Sequence, residues 1–325
     1  AQGQGTANQT IGNLSIRGQA GPTTPFISGF VLQGNASTTL LIRGAGPALR
    51  AYGVTAALSR PLLTVYDSRG EKVAENSGWR TRPQDEWSVI RRLGAGFSFD
   101  ETGDDCGLLL SLAPGLYTVQ LSGQNGSSGI GLIELYQGNG FGAVPQSSPH
   151  LINVSSRCTV GAGESVAIAG LTLPMGRKVL IRAIGPGLAA FGVNGVLANP
   201  KLEVVRPAIA TLLHGGVSTL PAVVVLTNDD WNDQQPLTMS FDTATNTPRP
   251  VLGVSWRGSA EEIRAATASA GAFPIAEGSR EAVVLVTVDH TPMTVHVSGA
   301  EGGTGVALVE AYDVGPADPS SSVPN

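Results

Sequence analysis

The sequence predicts an all-β protein: two tandem β-sandwich, jelly-roll-like domains, each with one short helix. Three observations predict it. Apolar segments are short, rich in Val, Ile, Leu and Thr, and cut by Gly, Pro, Asn and Ser; the chain holds 43 Gly and 21 Pro. The stretch from Leu41 to Val65 recurs from Leu180 to Val204, with 13 of 25 positions identical, and TVQLSGQNGSSGIGLIELYQ (118–137) recurs as TVHVSGAEGGTGVALVEAYD (294–313). Such internal similarity marks a duplicated module. Finally, 325 residues are enough for two domains with separate cores.

The elements follow in order. After an N-terminal extension (1–8), copy one runs over 9–137, a Gly/Pro/Ser linker over 138–149, copy two over 150–314 and a tail over 315–325. Each copy opens with a strand, IGNLSIR (11–17) or LINVSSR (151–157). FISGFVLQ and VAIAGLTL follow, then TTLLIRG and KVLIRA. G-P-x-L-x-x-[YF]-G-V next predicts a short helical turn, and LLTVYD or KLEVV a fourth strand. CGLLLSL, LYTVQLSG and GIGLIELYQ close copy one; AVVLVTV, MTVHVSG and GVALVEAYD close copy two. Strands of this length with regular turn signals predict roughly eight per sandwich. The helix of copy two starts at Ser259, with Glu262 at capping-box spacing. In copy one Pro83 starts its counterpart, with Asp85 and Glu86 in the first turn. Trp79-Arg80 and Trp256-Arg257 precede the two helices, and Phe97 and Phe273 follow. Either Trp serves as a sugar-stacking platform or as a core plug, and the plug is preferred. Copy two carries an insertion at about 207–251, in which Val223 to Leu226 reads as an added strand.

Four charges stand inside apolar strands: Arg43 in LLIRG, Arg182 in VLIRA, Glu134 in LIELY and Glu310 in LVEAY. An unpaired charge there would lose several kcal/mol to desolvation, so Arg43–Glu134 and Arg182–Glu310 pairs are expected. Cys106 and Cys158 are each private to one copy, Ala282 and Gly18 standing at the matching places. One inter-domain or inter-subunit disulfide is the economical expectation for a secreted protein; two buried free thiols are the alternative.

The run L-x-V-Y-D-x-x-G, A-x-N-x-x-W, helix, L-A-P-G-x-Y-T-V-x-L-S-G is carried by Asp67, Gly70, Asn76, Trp79, Pro114, Gly115, Tyr117, Ser122 and Gly123. It resembles the pre-peptidase C-terminal β-sandwich modules of secreted bacterial enzymes. Both copies are more closely similar to a tandem repeat of large secreted proteins from bacteria such as the Verrucomicrobia. Leu151 to Arg157, Val179 to Val193 and Thr304 to Asp313 carry that likeness. The resemblance implies an extracellular, non-catalytic module, and it transfers no catalytic residue.

Chemistry is sparse. The four His (His150, His214, His290, His296) have no counterparts between copies, and neither G-x-S-x-G nor H-E-x-x-H occurs. Asp229, Asp230 and Asp233 are weak calcium candidates, as is the group Asp100, Glu101, Asp104 and Asp105; solvated turns are preferred for both. No cofactor is expected. A net charge of −5 without a basic tract argues against nucleic acid, and no apolar run reaches 18 residues, so no membrane span is expected. The first residue, Ala1, and the small polar start suggest a mature secreted protein. The expectation is therefore a secreted structural protein, not an enzyme: a subunit of an extracellular filament or surface assembly formed by head-to-tail contacts with itself. The candidate contacts are Ala1–Gln9, the insertion and Gly315–Asn325. The alternative is a polysaccharide- or cell-wall-binding adhesion module.

Overall fold

The computed structural model describes residues 13–92, 98–100, 104–137, 150–172, 177–213, 216–233, 239–241, 248–250, 254–288 and 292–316. The chain divides into two units, Ala1–Cys158 and Thr159–Asn325. Unit 1 contains strands β1 (Asn13–Ala20), β2 (Phe26–Gln33), β3 (Thr38–Ala45), β4 (Pro61–Asp67), β5 (Lys72–Asn76), β6 (Cys106–Leu112), β7 (Gly115–Gly123) and β8 (Gly129–Gln137). Strand β9 (His150–Val160) follows, and the short helix α1 (Trp87–Arg92) lies between β5 and β6.

One sheet of unit 1 has the order β1-β8-β3-β6 and the facing one β2-β7-β4-β5, all antiparallel. This is the two-Greek-key order of a jelly roll, so the expected fold class holds. Alternation fixes the packing. Phe26, Phe30, Leu63, Val65, Val119 and Leu121 of one sheet are buried, as are Leu40 and Ile42 of the other. Residues 150–157 of β9 pair with the outer edge of β2, from Gln33↔His150 to Ile27↔Arg157. The repeat assigns this strand to copy two, yet its hydrogen bonds to β2 lie in unit 1.

Unit 2 repeats the plan. Its strands are β10 (Ala167–Thr172), β11 (Arg177–Ile184), β12 (Pro200–Arg206), β13 (Ile209–Leu213), β14 (Gly216–Leu220), β15 (Val223–Asn228), β16 (Met239–Phe241), β17 (Pro248–Pro250), β18 (Val254–Arg257), β19 (Ala282–Val288), β20 (Met293–Gly299) and β21 (Gly305–Pro316). Within the unit the orders are β10-β20-β12-β15 and β18-β19-β11-β21. Helix α2 (Ala260–Ser269) begins with the expected capping box: the Glu262 amide donates to the Ser259 hydroxyl, and the Glu262 carboxylate accepts from the Ser259 amide.

Two readings need correction. The β4–β5 hairpin has its equivalent in β12 and β15, because Leu202 faces Asn228 as Leu63 faces Asn76. Val223–Leu226 is thus the fifth strand of the module, not an added one. The insertion is split: one part is the β13–β14 hairpin before β15, and the other lies between Trp231 and α2 and contains β16, β17 and β18. Strand β5 escaped the sequence reading because KVAEN is short, polar and at a sheet edge. Of the segments put forward as assembly contacts, Ala1–Gln9 and all of Gly315–Asn325 after residue 316 lie outside the described residues, as does most of 234–253.

The G-P-x-L turn is a 3-10 helix in both copies, Pro47–Tyr52 and Pro186–Phe191. Its leading glycines have a steric cause: a Cβ on Gly46 would strike the Leu58 carbonyl oxygen, and one on Gly185 that of Leu197.

Candidate functional site

Strand β3 presents Leu41, Arg43 and Ala45 on the face away from the sandwich interior. That face is covered by the 3-10 turn, α1, Trp79 and Phe99, which with Leu41, Ala45 and Tyr136 make a second apolar cluster. Arg43 is trapped between sheet and cover. Its cross-strand neighbour is Glu134, and Nη1 lies 3.2 Å from Glu134 Oε2. Tyr136 Oη donates to Glu134 Oε1 at 2.6 Å, and the Phe99 ring stacks on the guanidinium with 3.8 Å from Cζ to centroid. Copy two repeats each contact. Arg182 faces Glu310 in register, with Nη1–Oε2 at 3.4 Å. Tyr312 donates to Glu310 at 2.7 Å, and Phe273 covers Arg182 at 4.5 Å while its carbonyl accepts from Nη2 at 2.9 Å. Both expected ion pairs are present.

A third acid, missed in the sequence, joins each cluster. Asp105 stands just before β6 and accepts from the Gly46 amide at 2.7 Å and the Ala48 amide at 3.3 Å. Glu281 stands just before β19 and accepts from the Gly185 and Gly187 amides, both at 2.6 Å. These carboxylates cap the exposed amides of the 3-10 turn. Asp105 therefore belongs to a buried cap rather than a calcium loop. The signal was an acid at the same offset before the sixth strand, DDCGLLL against REAVVLV. Burial pushes the carboxyls of Asp105, Glu134, Glu281 and Glu310 up from their ordinary values, against the opposing pull of the nearby Arg and of their hydrogen-bond donors.

A second repeated device is N-x-x-W. Asn76 Oδ1 accepts from the Gly107 amide at 3.0 Å, and Nδ2 donates to the Gly78 carbonyl at 3.0 Å. Asn228 does the same with the Val283 amide at 2.8 Å and the carbonyls of Asp230 and Asp233 at 2.8 and 2.9 Å. Trp79 and Trp231 are both buried, and each indole donates to a carbonyl, of Asp100 and of Ala276. The counterpart of Trp79 is thus Trp231, not Trp256, whose side chain lies outside the described residues. Phe99, rather than Phe97, is the counterpart of Phe273; Phe97 also lies outside them. Trp79 is a core plug and offers no sugar platform. Asp229, Asp230 and Asp233 occupy the turn that Asn228 closes, and among the described residues no group of three or more His, Cys, Asp or Glu side chains converges on a common point.

Cys106 and Cys158 are free and buried, so no disulfide joins them within the chain. Cys106 Sγ donates to the Pro61 carbonyl at 3.2 Å. Cys158 packs beside Gly18, where a Cβ would lie 2.9 Å from the Phe26 ring and 3.1 Å from the Cys158 Cβ. That crowding explains why copy one has glycine at this place. Desolvation pushes the Cys158 thiol up to about 12, and it pushes the Cys106 thiol up as well.

Each cluster is closed to water: Arg43, Glu134, Asp105, Arg182, Glu310 and Glu281 are all 5 % exposed or less. Chemically it can neutralise its own charges and lock the turn, the cover layer and the sheet together. What each copy does expose is one aromatic ring on the locked turn, Tyr52 at 61 % and Phe191 at 64 %. In comparisons with known proteins, no family model and no curated protein matches the chain.

Proposed function

We propose that this chain is a non-catalytic structural protein, a subunit of an extracellular filament or surface assembly built from copies of itself. The observation that supports it most is how the duplicated polar residues are used. The Arg, Glu, Tyr, Asn and capping acids that recur in both copies are turned inward and bonded to the module itself. The repeat therefore preserves a rigid shape. Tandem sandwiches also present sheet edges, where main-chain groups accept a further strand whatever its side chains. The test is light scattering and negative-stain microscopy of the full chain over a wide concentration range. Mass that grows with concentration and elongated or layered particles are expected; a monomer throughout overturns the proposal.

One observation favours a second reading, a polysaccharide-binding adhesion module. Tyr52 and Phe191 project from the same site of both copies, each on a turn fixed by a buried carboxylate, and exposed rigid aromatics suit sugar stacking. Retention on insoluble cell-wall polysaccharide, lost in Tyr52→Ala/Phe191→Ala, would establish it; no retention of the parent protein would remove it.

A further inference from the structure

The two copies differ at one sheet edge. In unit 2, β19 is flanked by β18, with Trp256 opposite Thr287 and the Gly258 amide donating to the Leu285 carbonyl at 2.7 Å. Leu285 and Thr287 are consequently only 3 % and 4 % exposed. In unit 1 the equivalent strand is β6, and no described strand lies beyond it. Its direction is fixed by Asn76. The Gly107 amide donates to that side chain rather than to β3, so by alternation the main-chain groups of Gly107, Leu109 and Ser111 point away from β3. Asn76 occupies the first of these. Leu109 and Ser111 correspond to Leu285 and Thr287, and they have no described main-chain partner. Ser111 is exposed and Leu109 half-buried.

The edge also lacks the usual protection. Another edge strand of unit 1, β5, carries Lys72 and Glu75, joined at 3.3 Å; charges on an edge discourage pairing. Strand β6, CGLLLSL, has none. It is moreover self-complementary. If two β6 strands meet antiparallel about Leu110, Leu109 of one faces Ser111 of the other, and each such pair exchanges two main-chain hydrogen bonds.

We propose that β6 is a docking edge for a second copy of this chain, joined two-fold through Leu109 and Ser111 with Leu110 on the axis. Main-chain pairing of this kind continues the sheet from one molecule into the next, as β18 does within unit 2. The inference rests on the self-assembly reading but is narrower. A two-fold contact closes on a pair, so growth beyond it needs a different surface.

Two variants test the contact in the full chain. Ser111→Pro removes an outward N–H and leaves the ladder to β3 intact, and the solvent side of an edge strand is a place where a sheet tolerates proline; circular dichroism checks that the fold is kept. At concentrations where the parent is a pair of 33.2 kDa chains, it is expected to leave single chains. Leu110→Cys places two thiols opposite each other at a non-hydrogen-bonded pair, where Cα atoms approach to about 4.5 Å. It is expected to give a reducible dimer under mild oxidation, at least tenfold more than Ser111→Cys. A parent protein that assembles, with neither variant showing its effect, overturns the β6 contact and leaves self-assembly standing. A cross-linked pair that never grows supports the contact and overturns the filament. A monomeric parent that gives no cross-link overturns both.

Discussion

Arg43→Met removes one partner of a buried pair and keeps much of its bulk. The guanidinium is fully buried, 3.2 Å from Glu134 and stacked on Phe99. Without it the Glu134 carboxylate, 3 % exposed, retains only the Tyr136 hydroxyl as a hydrogen-bond partner among the described residues. Breaking a buried pair on one side costs about 3–5 kcal/mol. For a unit of this size that corresponds to a fall of about 6–20 °C in Tm. The assay is thermal and urea unfolding followed by far-ultraviolet circular dichroism, with Arg182→Met as the matching perturbation of copy two. The double change Arg43→Met/Glu134→Leu removes both charges and should recover most of the loss, to within about 1 kcal/mol of the parent. The loss also depends on pH. Arg43 pulls the Glu134 pKa down against burial, so in the variant it rises further. The folded state then holds a proton that the unfolded chain releases above 4.5, and stability falls as pH climbs from there toward the folded value. The deficit should therefore be smaller at pH 5 than at pH 8. A single variant within about 1 kcal/mol of the parent at pH 7, or a double variant as damaged as the single, would refute the reasoning.

Other expectations follow from the same contacts. The carboxyls of Asp105, Glu134, Glu281 and Glu310 are all raised by burial; the stability tied to them is full below the unfolded values near 4 and is lost upward through the folded ones. The parent protein should thus melt higher at pH 5 than at pH 8, and a melting temperature that rises steadily over that range would count against it. Cys106 and Cys158 should resist a thiol reagent in the folded protein at pH 8 and react, both of them, in denaturant; an untreated mass two hydrogens short would show a disulfide instead. Asn228→Ala removes the hydrogen bonds to the Val283 amide and to the carbonyls of Asp230 and Asp233, a loss of about 1–3 kcal/mol, read by urea unfolding; Ala at exposed Gln84 should be nearly silent.

The strands and the two ion pairs were legible because both obey local rules. Alternation and turn residues mark a strand wherever it sits, and a charge inside an apolar strand announces a partner. The duplication then located that partner, since Arg and Glu recur together. What was not legible depended on aligning diverged segments. Asn76 and Asn228 carry the same bonds, but N-S-G-W and N-D-D-W are separated from their helices by very different lengths, so Trp79 was matched to Trp256. Asp105 and Glu281 differ in length and sit in an acidic loop in one copy only, which hid their shared task on the turn amides. The expectation of a disulfide rested on Cys106 and Cys158 looking private, and within the chain they are not joined. In three dimensions each fills a small apolar gap, one against Pro61 and one against Gly18 and Phe26.

The placement of β9 has a consequence for anyone cutting this gene. Part of the hydrogen bonding of β9, the first strand of the second repeat, serves the first unit. A fragment ended at Gln137, where the first repeat ends, strips seven residues of pairing from β2 and bares an apolar edge. One ended after Val160 keeps that ladder. Yield and solubility of the two fragments should differ sharply, although they contain the same first repeat. A fragment meant to stand for the first repeat should therefore carry β9 with it, beyond the boundary that a dot plot of the sequence would suggest.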